Sequence, residues 1–202
     1  MRIEEMIAAV QRELGIGVDG KAGPQTWGAI YQRLVVKPGN GQPASGTIAP
    51  ADNRSEKVIA TLQAEAQPFA RALVQKASSI GITIKIISGL RTYAEQDALY
   101  AQGRTAPGKI VTNARGGHSN HNFGIAFDVG VFEEGEYLQD SPKYKAVGAL
   151  GVDLGLDWGG NWTTFHDEPH FQLRPSWAVN LSEDQMLAAM RSRIDEGQAI
   201  YA

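Results

Sequence analysis

The chain has 202 residues, of which 43% are hydrophobic and 20% charged, and its formal net charge is −3. This composition excludes a disordered chain, and a weakly acidic chain without a Lys/Arg run is not suited to nonspecific binding of nucleic acid or of an anionic membrane surface. The sequence contains no cysteine, which excludes disulfides, thiolate zinc sites and a cysteine nucleophile. Any chemistry must therefore use oxygen and imidazole groups.

The N-terminus does not have the features of a signal peptide. Residues 1–6 already contain charged side chains at Arg2, Glu4 and Glu5, and no long apolar segment follows them. Nowhere do about 18 uninterrupted apolar residues occur, so no membrane insertion is expected. We expect the chain to be made in the cytosol without a signal peptide.

Residues 1–36 predict a short helical module. Apolar residues recur at helical spacing, a glycine-rich turn follows, and a second helical pattern continues to Leu34. The run from Leu14 to Ile30, LGIGVDGKAGPQTWGAI, resembles the core of the small peptidoglycan-binding helical domain, which implies a role in cell-wall binding. A helical hairpin that only docks on the rest of the chain is the alternative.

Residues 37–53 hold three prolines and three glycines with almost no large apolar side chain. Such a stretch cannot bury enough surface to order itself and predicts a linker. The chain is thus expected to comprise a helical module over 1–36, a linker over 37–53 and a larger domain over 54–202.

The first half of the larger domain alternates helix and strand. A helical pattern runs from Val58 to Ile80, and Pro68 is expected to kink that helix or to start a second one. Alternating apolar residues predict a strand over 82–88. Thr92 and Glu95 then form a capping box that opens the next helix.

The second half predicts two further strands, over 123–131 and over 165–173. Ser141 followed by proline predicts the start of a helix that Gly151 or Gly155 ends. Ser182 and Gln185 predict the cap of a last helix. Helices around a few short strands, without regular βαβ alternation, indicate an α+β fold.

Candidate metal ligands concentrate in this second half. All four histidines lie between residues 118 and 170. In the strand predicted over 123–131, alternation places Asp128 on a face left open by small neighbours, whereas the bulky side chains point to the core. Imidazoles of His121 and His170 with the Asp128 carboxylate form the donor set that binds Zn²⁺ and leaves a fourth position for water. A further acid beside that water would act as general base.

These residues also match a known pattern. The run Ser119-x-His121-x-x-Gly124-x-Ala126-x-Asp128, followed by an acid three residues before His170, resembles the LAS-type zinc peptidases. These include D-Ala-D-Ala carboxypeptidases and the L-alanyl-D-glutamate endopeptidases of phage endolysins. The segments SGLRT over 88–92 and LDWGGNW over 156–162 resemble two more motifs of these peptidases, so the resemblance covers roughly residues 55–175. It implies a small central antiparallel sheet flanked by helices, as in hedgehog-type and D-Ala-D-Ala peptidase-like folds.

The resemblance implies a role for each matching residue. His121, Asp128 and His170 would ligate one zinc ion per chain. Arg91 would hold the scissile carbonyl oxygen as negative charge develops on it. The groove that binds substrate would be lined by Ser119 and Gln96.

The catalytic acid/base has two candidates. The resemblance places Asp167 in this position, although the family often has Glu there. Simple strand alternation favours Glu168 instead, because Glu168 would share a face with His170. His118 and His166 are not required by the pattern, and each is expected to contact substrate or support the ligands rather than bind the metal. Trp158 and Trp162 are expected to pack around the turn that two glycines make possible.

Together these features predict a zinc endopeptidase that cuts the peptide stem of peptidoglycan at the L-Ala–D-Glu bond and lyses cells as an endolysin does. A D-Ala-D-Ala carboxypeptidase is the alternative within the class, and a non-catalytic zinc module that binds cell wall is the alternative outside it. The stem peptide is the expected partner, the chain is expected to act as a monomer, and a holin is the expected route to the wall or periplasm.

Overall fold

The computed structural model describes residues 3–14, 17–21, 26, 50–163 and 165–202. Two units make up the chain, Met1–Gly41 and Gln42–Ala202. Most of the predicted linker and the second predicted N-terminal helix lie outside the described residues. The boundaries at 36 and 53 therefore stay a prediction. Among the described residues, no helix combines the length and apolar character needed to cross a bilayer.

In the N-terminal unit, helix α1 spans Ile3–Glu13 and is tied to the loop that follows it by Gln11. The buried Gln11 amide donates from Nε2 to Asp19 Oδ1 at 2.7 Å and to Thr26 Oγ1 at 2.8 Å. Its Oε1 accepts the backbone N–H of Gly20 at 2.9 Å. One buried side chain thus satisfies several polar groups of the loop.

The C-terminal unit is built on an antiparallel sheet. Its strands are β1 (Thr83–Ser88), β2 (Ala126–Glu133), β3 (Glu136–Leu138), β4 (Asp157–Trp158) and β5 (His170–Gln172). They lie in the order β1-β2-β5-β4, and β3 pairs with residues 131–133 of β2.

Helices flank this sheet, which confirms the predicted α+β class. They are α2 (Asn53–Ile59), α3 (Gln67–Ser79), α4 (Tyr93–Ala101), α5 (Lys143–Asp153) and α6 (Glu183–Asp195). Pro68 lies in the first turn of α3, so it starts a second helix and does not kink a continuous one. The capping boxes of Thr92 and Ser182 are confirmed.

Three element boundaries differ from the predictions. The strand predicted from Phe123 begins only at Ala126, because residues 120–123 form a 3₁₀ turn that Gly124 ends with a φ of +68°. The strand predicted from Phe165 is confined to β5, since the preceding residues form a turn closed by His170 N–H on the Asp167 carbonyl at 3.1 Å. Helix α5 begins at Lys143 rather than next to Ser141, and it runs through Gly151 to end before Gly155, whose φ is +88°.

Two hydrophobic clusters hold the unit together. The larger one fills the space between the sheet and helices α2, α3 and α5, and it contains Phe127, Val129 and Phe171. The smaller one joins Phe123 and Ile125 to Met186, Met190 and Ile200 of the C-terminal segment. The 3₁₀ turn over 120–123 and strand β2 are therefore fixed by two different sets of packing contacts.

Helix α5 approaches the sheet closely enough to require glycine at residue 151. A Cβ atom there would lie 2.3 Å from the Phe171 ring. We predict that Gly151→Ala destabilises the protein, since overpacking costs about 1–3 kcal/mol and outweighs the gain in helix propensity of about 1 kcal/mol. The midpoint of urea unfolding measures this. Ala149→Ser, at an exposed position of the same helix, is the control, and a Gly151→Ala protein as stable as wild type would contradict the packing described.

Candidate metal centre and active site

Strand pairing gathers the site around Asp128. In the sheet register, Asp128 of β2 faces Ser88 of β1 on one side and His170 of β5 on the other. His121 is supplied by the 3₁₀ turn just before β2. The backbone N–H of Arg91, which follows β1, donates to the His121 carbonyl at 3.0 Å and joins the two segments.

Three side chains form a cluster that could hold a metal ion, with ligand atoms within 4.8 Å of one another. Asp128 Oδ1 lies 3.2 Å from His121 Nε2 and 3.3 Å from His170 Nδ1, and the two nitrogens are 3.2 Å apart. Ligands placed tetrahedrally at about 2.0–2.1 Å from zinc are about 3.3 Å from each other. Asp128 Oδ1 is also buried without a hydrogen-bond partner among the described residues. The cluster therefore fits a zinc ion.

Hydrogen bonds on the far side of each ring orient both imidazoles. His121 Nδ1 donates to the Gly89 carbonyl at 2.8 Å, and His170 Nε2 donates to Gln172 Oε1 at 2.9 Å. Each bond fixes the tautomer and leaves the other nitrogen with its lone pair toward the cluster. His121 thus offers Nε2 and His170 offers Nδ1.

The electrostatics of the cluster favour a charged Asp128. Burial raises the pKa of the Asp128 carboxyl, but the adjoining imidazoles of His121 and His170 lower it by more, so it lies well below its usual range. For His170, burial lowers the pKa, and the adjacent Asp128 carboxylate raises it above the ordinary value. The carboxylate is thus present at neutral pH, as a metal ligand must be.

Arg91 is held at the edge of this cluster. Its Nη1 donates to Gln96 Oε1 at 2.7 Å, its Nη2 donates to Ser88 Oγ at 3.0 Å, and Nη2 lies 3.7 Å from Asp128 Oδ2. Gln96 is fully buried on the inner face of α4, and its amide also donates to the Ala114 carbonyl at 2.8 Å. The prediction that Gln96 lines the groove is therefore wrong, because this side chain holds Arg91 from behind.

Asp167 and Glu168 lie in different surroundings. Asp167 lines the cavity beside the metal ligands, whereas Glu168 is not among the residues that line it. The Glu168 carbonyl instead accepts the indole N–H of Trp158 at 2.8 Å. Burial raises the pKa of Asp167 and the Asp128 carboxylate adds to the rise, which outweighs the opposing effect of His170 and other nearby cationic groups.

The cavity measures about 810 Å³ and collects most of the predicted residues. His118 and Ser119 line it as predicted, and His166 does not, since His166 is exposed and contacts the Gly160 carbonyl. Trp162 lines the cavity with its ring centroid 4.8 Å from that of His170, which corrects its assignment to packing alone. Lining residues that the sequence reasoning missed include Asn120, Arg174, Glu183, Leu187 and Phe165.

Comparisons with known proteins identify peptidases that are similar to this chain. The model of the D-alanyl-D-alanine carboxypeptidase family matches residues 112–173. The peptidoglycan L-alanyl-D-glutamate endopeptidase CwlK of Bacillus subtilis (strain 168) is 39% identical over 117 residues, which cover 53% of this chain and 70% of CwlK. The chain belongs to the same family of zinc peptidases as CwlK. It is accordingly a zinc metallopeptidase, and zinc is its cofactor.

Three further proteins show weaker similarity to this chain. The L-alanyl-D-glutamate peptidase of Listeria phage A118 is 30% identical over 124 residues, covering 59% of this chain and 41% of the phage protein. The L-Ala D-Glu endopeptidase ChiX of Serratia marcescens has a TM-score of 0.48 at 24% identity, covering 63% of this chain and 92% of its own. The D,D-pentapeptidase VanY of a VanB-type resistance cassette has a TM-score of 0.44 at 16% identity, covering 69% of this chain and 81% of the VanY chain.

The raised pKa of Asp167 has a consequence for stability. Because folding raises this pKa, the folded protein holds the proton more tightly than the unfolded chain, and ionisation costs stability as pH rises. We predict that Asp167→Asn raises the melting temperature of the metal-free protein at pH 7, and that the gain shrinks as pH falls through the pKa of Asp167. Thermal unfolding across this pH range measures it, with Glu168→Gln as the neighbouring control. An Asp167→Asn protein less stable than wild type at pH 7 would contradict the assignment.

Proposed function

We propose that this zinc peptidase is an endopeptidase that hydrolyses the L-Ala–D-Glu bond in the peptide stem of bacterial peptidoglycan. The observation that carries the proposal is the convergence of the three-ligand cluster, Asp167 and Arg91 on one cavity. The bond is taken from CwlK and the phage peptidase, both of which are named for it.

In this proposal His121 Nε2, His170 Nδ1 and Asp128 hold the zinc. When bound, zinc supplies a Lewis acid for the scissile carbonyl and lowers the pKa of a water molecule from 15.7 to about 7. With zinc bound, each imidazole would be neutral, because one ring nitrogen donates a hydrogen bond and the other gives its lone pair to the metal.

Asp167 is the proposed acid/base. It takes a proton from the attacking water and delivers that proton to the leaving amine, which requires a carboxyl that changes protonation state during turnover. Its placement on the cavity wall and its raised pKa support this role, and the position of Glu168 outside the cavity lining supports Asp167 over Glu168.

Arg91 is the proposed group that stabilises the negative charge developing on the carbonyl oxygen. Its guanidinium is permanently charged and is fixed by Ser88 and Gln96 before substrate arrives, so little reorganisation is needed during reaction. We assign His118 and Ser119, which line the same cavity, to contacts with the stem peptide.

The route to the substrate is also a proposal. One relative is an L-alanyl-D-glutamate peptidase of a Listeria phage, and we propose that a holin gives this chain access to the wall from the cytosol. We also propose that the chain acts as a monomer, since Arg91, Asp167 and the three-ligand cluster of a single chain line one cavity.

Digestion of purified muropeptides followed by mass spectrometry tests the reaction. We predict that His121→Ala abolishes cleavage and that Asp167→Ala lowers kcat by about 10²–10⁴-fold, the contribution typical of general acid–base catalysis. Glu168→Ala is the matched control and is expected to keep nearly full activity.

The products separate the remaining alternatives. Release of D-Ala alone would identify a D-Ala-D-Ala carboxypeptidase, the activity for which the family model is named. Loss of activity in Glu168→Ala but not in Asp167→Ala would reverse the choice of base. Undiminished cleavage by His121→Ala would overturn the zinc assignment.

A further inference from the structure

A chain of hydrogen bonds leads from the metal cluster to the C-terminal helix. His170 Nε2 donates to Gln172 Oε1 at 2.9 Å, and Asn120 Nδ2 donates to the same oxygen at 2.5 Å. Asn120 Nδ2 also donates to Glu183 Oε1 in the first turn of α6. We propose that Gln172, Asn120 and Glu183 are positioning residues that set the tautomer of His170 and so make the C-terminal segment part of the metal centre.

The inference rests on the zinc site proposed above and extends it beyond the ligands. Residues 174–202 lie outside the region that the family model matches. Their connection to the site comes from the structure alone.

Gln172 presents a carbonyl oxygen, and only that atom, to His170. Its Nε2 faces Asp157 Oδ2 at 3.4 Å, so its Oε1 points to the two N–H donors. Since Oε1 can only accept, the proton of the neutral His170 ring must sit on Nε2. The lone pair of Nδ1 is then directed at the cluster, 3.3 Å from Asp128 Oδ1.

Asn120 fixes the orientation of Gln172 in turn. Both neighbours of Asn120 Nδ2 are oxygens, so the opposite amide orientation would set oxygen against oxygen. Asn120 is 6% exposed, and its Oδ1 is buried without a partner among the described residues. An unpaired buried oxygen costs about 1–3 kcal/mol, which indicates that the donor side of this amide is what the site needs.

Glu183 connects this series of hydrogen bonds to helix α6. Arg174 Nη2 donates to Glu183 Oε2 at 2.7 Å, and Arg174 Nε donates to Asp157 Oδ2 at 2.9 Å, so one guanidinium holds both carboxylates in place. Helix α6 itself packs through Met186 and Met190 in the same cluster as Phe123, two residues after His121. The helix therefore fixes Glu183 relative to the turn that carries a metal ligand.

Without the Gln172 acceptor, the His170 proton can move to Nδ1, where it blocks the lone pair that the metal needs. The expected consequence is weaker zinc binding. Residues that accept a hydrogen bond from a metal-binding histidine typically contribute about 10–100-fold to metal affinity.

The test is the zinc affinity of the full chain, measured by competition with a chromogenic chelator. We expect Gln172→Leu to weaken zinc binding by about 10–100-fold and Glu183→Ala to weaken it by about 10-fold. Gln172→Glu keeps an acceptor and is expected to bind zinc more tightly than Gln172→Leu. Asp184→Ala is the matched control, because Asp184 is an exposed acid in the same helical turn and should leave the affinity unchanged.

A second measurement reports the tautomer directly. Nitrogen-15 chemical shifts of the His170 ring in the metal-free protein, recorded at a pH above the pKa of that ring, should show the Nε2–H form in wild type and loss of that preference in Gln172→Leu. If Gln172→Leu does not fold, Glu183→Ala carries the affinity test at a half-buried position.

The proposal is overturned if Gln172→Leu, or Glu183→Ala where only that variant folds, binds zinc as tightly as wild type. It is also overturned if Asp184→Ala weakens binding as much as Glu183→Ala does. The underlying zinc site is tested separately by His121→Ala. If that variant retains wild-type affinity, the site itself is wrong, whereas its loss together with an unchanged Gln172→Leu protein rejects only the positioning role.

Discussion

The rest of the site depends on the placement of Asp128 between two antiparallel strands, β1 and β5. Strand β2 pairs with β1 through Ser88 and with β5 through His170, so one residue of a central strand brings the motifs of three segments together. The side chains of Phe127 and Val129 point to the core and fix the register. A slip of one residue would turn Asp128 into that core and remove the cluster.

Two carboxyl groups beside this cluster are driven in opposite directions by their surroundings. The imidazoles next to Asp128 lower the pKa of its carboxyl, while burial and the Asp128 charge raise the pKa of Asp167. Separated pKa values of this kind allow one carboxylate to serve as a fixed ligand and the other to exchange a proton. The proposed division of roles thus rests on the different groups that surround each carboxyl.

Local features of the sequence predicted the parts of the structure that depend on neighbours along the chain. The capping boxes at Thr92 and Ser182 are of this type. At Pro68 the sequence left a kink or a new helix open, and the structure has a new helix. The cluster of His121, Asp128 and His170 joins distant segments and was predicted from the donor set and the family resemblance. Two strands begin later than the sequence predicts, because Gly124 and the turn before His170 interrupt an otherwise apolar pattern.

Features that depend on long-range packing could not be predicted. Gln96 has the polarity of a groove residue, and only the fold shows that it is buried behind Arg91. Arg174 and Glu183 carry no local signal, since α6 brings them to the cavity from the end of the chain. Asn120 is the exception, because it lies between Ser119 and His121 within the recognised motif and could have been considered.

The central claim is that His121, Asp128 and His170 hold one zinc ion. Zinc K-edge absorption spectroscopy of the zinc-loaded full chain, together with its zinc content, tests it most directly. The account predicts one zinc per chain with nitrogen and oxygen ligands at about 2.0–2.1 Å, including two imidazoles, and loss of this signature in His121→Ala. The same two-imidazole spectrum and zinc content in His121→Ala would contradict it.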